Sequence, residues 1–217
     1  NGVALSDAVA ATDAVIAATD VPSELAIEIG GSYEDQQDMF SDLILLLAMI
    51  IILVYIVMAS QFESFMSPFV IMFSIPFAFV GVLLGLFVTG TPLGAMGMIG
   101  ILILMGIVVK NGIVLIDYTI LMRERGKSVA EASVIAAKSR LRPILMTTLT
   151  TVLGMIPMAI GQGEGAEMWR SLGMVVAWGL SISTLVTLVI IPTVYASMAS
   201  WQERRAARKA AKKLAKA

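Results

Sequence analysis

Two ionisable residues lie where a chain this apolar should have none. Lys110 and Asp117 sit in the stretch Met98–Met122, and no charge occurs between Ser64 and Val109. An ionised side chain at the centre of a bilayer costs at least ~2.5 kcal/mol, so such residues face a protein interior or a water-filled path and mark ion or proton routes. Their spacing of seven residues is two helical turns less ~20°, which puts both on one face of a helix. The rise between them is ~10 Å, too far for direct contact. Each therefore needs another partner, from a neighbouring helix or, for Asp117 near the span's end, from water. Two readings are open at this point: a structural ion pair and an interfacial acid, or a proton relay.

A second polar face follows. Arg140 and Thr147 are also seven apart, and share a side if their helix begins before Pro143. Thr147, Thr148, Thr150 and Thr151 form a hydroxyl cluster. Hydroxyls in a helix often bond back to their own backbone; the functional alternative is a hydrogen-bonded path beside Lys110. Gly81 and Gly85 form a small-xxx-small face suited to close helix packing. Pro76, Pro157 and Pro192 are expected to kink their helices.

The elements that position these residues are read from composition. The chain has 217 residues, 58% hydrophobic and 14% charged, with a mean hydropathy of +0.90. An ordinary soluble domain is roughly 25% charged. Cysteine and histidine are absent, which excludes disulfides, thiol catalysis and most transition-metal sites. No nucleophile–base set, phosphate loop or metal spacing is present, so the chain reads as no enzyme, with no cofactor and no metal.

Five membrane spans are expected, at about Asp42–Ser60, Pro68–Val88, Met98–Met122, Pro143–Ile160 and Leu172–Met198. Pro68 and Pro143 suit first turns of helices. Nine of the sixteen acids lie in residues 1–42, with no Lys or Arg among them, while six cations fall between Arg123 and Arg142 and seven between Arg204 and Lys216. Two spans separate the basic segments, so both fall on one side, which the positive-inside rule assigns to the cytoplasm. The acidic N-terminal segment then lies outside. The basic tail reads as a solvated helix that touches anionic lipid; nucleic-acid binding is not expected, because nothing aromatic interleaves with its charges. Leu5–Thr19 has helical spacing and Leu25–Gly30 alternates like a strand. The expected organisation is an extramembrane helix–strand piece over residues 1–40, a five-helix membrane domain over 41–200 and a basic tail over 201–217. Forty residues cannot bury a core of their own, so the chain reads as the C-terminal part of something longer.

Four motifs resemble resistance–nodulation–division (RND) efflux transporters. Met58-Ala59-Ser60-Gln61-Phe62-Glu63-Ser64-Phe65 with Pro68-Phe69 is similar to the hinge after their eighth span. Gly106-Ile107-Val108-Val109-Lys110-Asn111-Gly112-Ile113-Val114-Leu115-Ile116-Asp117-Tyr118 resembles their tenth. Arg140-Leu141-Arg142-Pro143-Ile144-Leu145-Met146-Thr147-Thr148 resembles the start of the eleventh, and Gly163-Glu164-Gly165-Ala166-Glu167-Met168 the loop before the twelfth. The resemblance runs from about Gln36 to Tyr195 and points to the hydrophobe/amphiphile branch rather than the heavy-metal branch. It implies an all-α membrane fold comprising the last five of twelve spans, after the α/β end of a periplasmic porter subdomain. It also implies a homotrimer in the bacterial inner membrane, with a periplasmic adaptor and an outer-membrane channel as partners and protons as the coupling ion. Carried over by motif, the proton site would hold Lys110, Arg140 and Thr147, with Thr148 beside it. Asp117 stands where relatives carry an acid of less certain role. Two acids on the family's fourth span, outside this chain, would complete it. Related export subunits and a non-transporting membrane scaffold are the competing readings.

Overall fold

A computed structural model of the chain describes residues 5–19, 32–161, 163 and 165–214. Seven helices are present among them: α1 (Leu5–Ala18), α2 (Ser32–Gln61), α3 (Met66–Met72), α4 (Ser74–Thr89), α5 (Ala95–Glu124), α6 (Val129–Ile160) and α7 (Ala166–Leu214). No strand occurs among the described residues, and the expected strand Leu25–Gly30 lies outside them. The chain divides into two compact units, Asn1–Leu46 and Leu47–Ala217. In the first, α1 follows the apolar spacing of Leu5–Thr19 and buries Val9.

The second unit carries four of the membrane-length segments whole and the rest of the first, which begins at Asp38. Five helical segments are long and apolar enough to cross a membrane: Asp38–Gln61, Met66–Thr89, Ala95–Glu124, Val129–Ile160 and Met168–Arg205. Each contains one of the five expected spans. Between Gln61 and Met66 the chain turns at Glu63, the non-glycine residue with positive φ (45°). Tyr55 braces this turn, its hydroxyl donating to the carbonyl of Phe65 at 3.2 Å. The second span is split into α3 and α4 at Phe73. Pro76 explains the break: it has no N–H for the Met72 carbonyl, and its ring crowds that oxygen. Helices α6 and α7, in contrast, run unbroken through Pro157 and Pro192. Gly90, at φ 62°, ends α4 in the left-handed conformation, which glycine adopts without steric cost.

Two boundaries differ from expectation. α6 begins at Val129, so Pro143 lies inside the helix rather than in its first turn. A capping box starts it: Glu131 N–H donates to the Ser128 hydroxyl at 3.3 Å, and Ser128 N–H to the Glu131 carboxylate at 3.4 Å. Its 32 residues span ~48 Å at 1.5 Å per residue, well beyond a hydrocarbon core of ~30 Å. Hydropathy locates only the apolar part of such a helix. Likewise α7 does not end with its apolar run near Met198 but continues to Leu214 through the basic segment.

α7 is the axis of the second unit, packed against α4, α5 and α6. Small residues let it approach closely. A Cβ built on Gly179 would collide with Leu104 and Val82, and one on Gly173 would reach the Ala159 backbone nitrogen at 2.7 Å. On the facing helix, Gly81 lies against Gly179 and Ile182, and Gly85 against Trp178. Val175, Val176 and Leu180 are wholly buried along this seam. Overpacking a close-packed interface costs about 1–3 kcal/mol. Gly179→Leu should therefore lower the thermal midpoint of the protein in detergent, whereas Gly154→Ala, where a Cβ meets nothing, should leave it unchanged or slightly raised. Equal midpoints for both variants would contradict this packing.

Candidate functional site

Helix α5 buries one side and bares the other. Leu104, Met105, Val108, Leu115, Ile116 and Thr119 are buried against neighbouring helices. Ile103, Gly106, Lys110, Asp117 and Leu121 are exposed. Those five follow helical spacing along one stripe, so Lys110 and Asp117 do share a face. Among the described residues neither makes a hydrogen bond or an ion pair. The neighbouring helices of this chain therefore do not supply the partner expected for Lys110, and its face lies open.

Arg140 sits at the α5–α6 junction. Its guanidinium lies over the Tyr118 ring, 4.7 Å from the centroid, a cation–π contact worth about 0.5–2 kcal/mol depending on desolvation. Its Nε is buried with no hydrogen-bond partner. A carboxylate would complete this group, because a buried guanidinium nitrogen without an acceptor forfeits its hydration. Pro143, three residues on and inside the helix, has no N–H for the Ser139 carbonyl, so the backbone beside Arg140 is also short of a bond.

The threonine cluster divides. Thr147 donates back to Ile144 O at 3.0 Å and Pro143 O at 3.2 Å, Thr150 to Met146 O at 2.8 Å, and Thr151 to Thr147 O at 2.9 Å. These three hydroxyls are engaged with their own helix. Thr148 alone of the four points across, sharing a buried 3.2 Å hydrogen bond with Thr184 of α7. No hydrogen bond joins Lys110 to Arg140, Thr147 or Thr148 among the described residues, so the polar faces of α5 and α6 are not linked into a continuous path within this chain.

At the far end of α5, Arg123 donates to Glu203 at 2.6 Å and to the Tyr195 hydroxyl at 3.5 Å. Counting Arg123 as one loop cation among six hides this role. Its place in the last turn of α5, about three and a half turns past Lys110, was the available signal, since a cation there also complements the helix dipole. The contact brings the ends of α5 and α7 together, so the two basic segments do lie at one end of the bundle.

Residues 1–199 match the AcrB/AcrD/AcrF family. The chain belongs to that family. It is 42% identical to the swarming motility protein SwrC of Bacillus subtilis over 187 residues, covering 86% of this chain and 18% of that protein. It is 36% identical to the multidrug resistance protein MdtC of Proteus mirabilis over 209 residues, covering 94% of this chain and 20% of MdtC. The crystal structure of a heavy metal efflux pump superposes with a TM-score of 0.78 at 32% identity, covering 92% of this chain and 20% of the pump. The chain thus spans about a fifth of the length of these AcrB/AcrD/AcrF-type relatives, and the RND resemblance of its motifs is established.

The division of the threonines yields a test. Hydrogen bonds between helices in a membrane contribute about 0.6 kcal/mol on average and up to about 1.7. Thr148→Val should destabilise the protein by that order in detergent unfolding, and Thr150→Val should be close to neutral. The reverse ranking would place the inter-helix bond elsewhere.

Proposed function

We propose that this chain supplies the cation-bearing half of the proton site in an inner-membrane RND efflux pump. The observation that carries the reading is the open stripe of α5, where Lys110 and Asp117 have no partner among the described residues, beside an Arg140 whose buried Nε has no acceptor among them. Two cations on adjoining helices of an apolar bundle call for anions from a further segment, and the family pattern puts two acids on the fourth span of the complete transporter.

With those acids ionised, Lys110 pairs with them. Protonation removes their charge and releases the ammonium, and α5 and α6 shift relative to the acid-bearing helix. A charge moved across the membrane is worth ~2.3 kcal/mol per 100 mV, enough for one proton to bias a two-state element substantially. The movement is transmitted to a periplasmic porter region that captures amphiphilic compounds. The pump is a proton/substrate antiporter and a homotrimer, working with an adaptor and an outer-membrane channel. In this reading the basic ends of α5 and α7 face the cytoplasm and the acidic N-terminal segment over residues 1–40 the periplasm.

The amphiphile reading is supported by the multidrug name of MdtC relatives. The heavy metal pump at 32% identity favours a second reading, metal-ion export through the same proton machinery. In the full-length pump, Lys110→Ala should reduce drug resistance to the level of cells lacking the pump, at unchanged abundance in the membrane. Thr151→Val, which removes only a bond within α6, should retain it. Normal drug resistance in Lys110→Ala would overturn the proton-site assignment. Zinc or copper resistance lost with Lys110→Ala while drug tolerance never depended on the pump would replace the amphiphile with a metal cargo.

A further inference from the structure

The cytoplasm-side end assigned to α7 carries a surface that the transport reading does not use. Trp201, Arg204, Arg205 and Arg208 are all exposed and fall at positions i, i+3, i+4 and i+7, one stripe of a helix. The Arg205 guanidinium stacks on the Trp201 ring at 3.8 Å. Glu203, the one acid after Arg170 in the sequence, is turned to the opposite side and held by Arg123 of α5 at 2.6 Å. At ~100° per residue, Arg204 and Arg205 project roughly 100–200° away from Glu203, so the stripe points away from the contact with α5. The ion pair therefore has a second consequence: it turns the tail's one acid, still exposed, toward Arg123 and pairs its charge there, leaving the Trp201–Arg208 stripe without an acid.

We propose that this stripe is a docking surface for anionic phospholipid headgroups, with Trp201 as its depth marker. Three observations select that occupant. First, α7 is one continuous helix from its apolar run into the basic segment, so the stripe begins where the span leaves the hydrocarbon. Tyr195, buried against Arg123, lies ~9 Å before Trp201 along the axis. Second, an exposed tryptophan is the residue favoured at the headgroup level, its ring partly apolar and its N–H a donor. Third, guanidinium groups match phosphate geometry with paired donors, and the stripe of α7 carries three of them, whereas the exposed Arg125 and Lys127 at the end of α5 are offset by the exposed Glu124 and Glu131, which leaves α7 as the net cationic surface. The stacked Trp201 ring holds the Arg205 guanidinium in place, which reduces the ordering needed to meet a phosphate. Lys209, Lys212, Lys213 and Lys216 continue the positive charge in sequence. A nucleic acid would meet the same charges, but a single tryptophan gives no run of stacking platforms, and the stripe starts at the membrane surface.

The test is lipid retention by the full-length transporter. The protein is purified from equimolar phosphatidylglycerol and phosphatidylcholine, and the bound lipid is counted by mass spectrometry. The wild type is expected to retain phosphatidylglycerol in several-fold excess, with the excess shrinking in high salt as screening requires. The triple variant Arg204→Gln, Arg205→Gln, Arg208→Gln should lose more than half of that excess, while the triple Arg→Lys variant, which keeps the charge without the paired donors, should retain clearly more than the Gln variant and less than the wild type. An excess unchanged in the Gln variant, or equal retention of both lipids by the wild type, would overturn the proposal. So would co-purifying nucleic acid in place of phosphatidylglycerol. If the Gln variant does not fold, the wild-type salt dependence and the Lys variant decide the matter. Drug export by Lys110 variants is a separate readout, so failure here leaves the proton site standing and the converse holds as well.

Discussion

An ammonium group surrounded by hydrocarbon must meet an anion or a route to water. Among the described residues Lys110 pairs with no anion, and much of the remaining arrangement is intelligible from that fact. Helix α5 is buried on the side that packs against its neighbours and bare along the stripe that carries Lys110, Asp117 and Gly106. On the bare stripe the residues are not those of a lipid-facing surface alone: two are ionisable and one is glycine. A helix that only faced lipid would gain by replacing them with Leu or Ile, by at least ~2.5 kcal/mol for a central lysine. Retaining them makes sense where another polar helix covers the stripe.

The packing of the bundle serves the same geometry. α7 approaches its neighbours through Gly173 and Gly179 and buries Val175, Val176 and Leu180, while Thr148 and Thr184 tie it to α6. At one end the Arg123–Glu203 pair fixes it to α5. α5 and α6 are thus both anchored to one central helix, and the stripe of α5 that carries Lys110 and Asp117 is left open. Arg140, stacked on Tyr118 with an unsatisfied Nε, lies on the same junction and has the same need for an acceptor.

The five apolar segments were legible in the sequence because hydropathy reports burial in a bilayer directly. The motif around Lys110 and Asp117 was legible because two turns of a helix return to one face. What hydropathy could not give was the length of α6 and α7, since a helix does not end where its apolar run ends. The Ser128–Glu131 capping box was the readable sign of the true start of α6, and a reading centred on Pro143 passed over it. The threonine cluster stayed open between two readings for a different reason. Sequence places four hydroxyls together but cannot tell which return to their own backbone, and three of the four do. The Arg123–Glu203 contact, eighty residues apart in sequence, required the tertiary fold.

The most direct measurement is the structure of the full-length transporter at alkaline and at acidic pH, read at the Lys110 Nζ. A carboxylate from another segment within about 4 Å at alkaline pH, the range of an ion pair, and a separated pair in at least one protomer at acidic pH are the expected results. A Lys110 side chain reaching bulk water or lipid headgroups at both pH values, with no acid nearby, would contradict the role proposed for it in proton coupling.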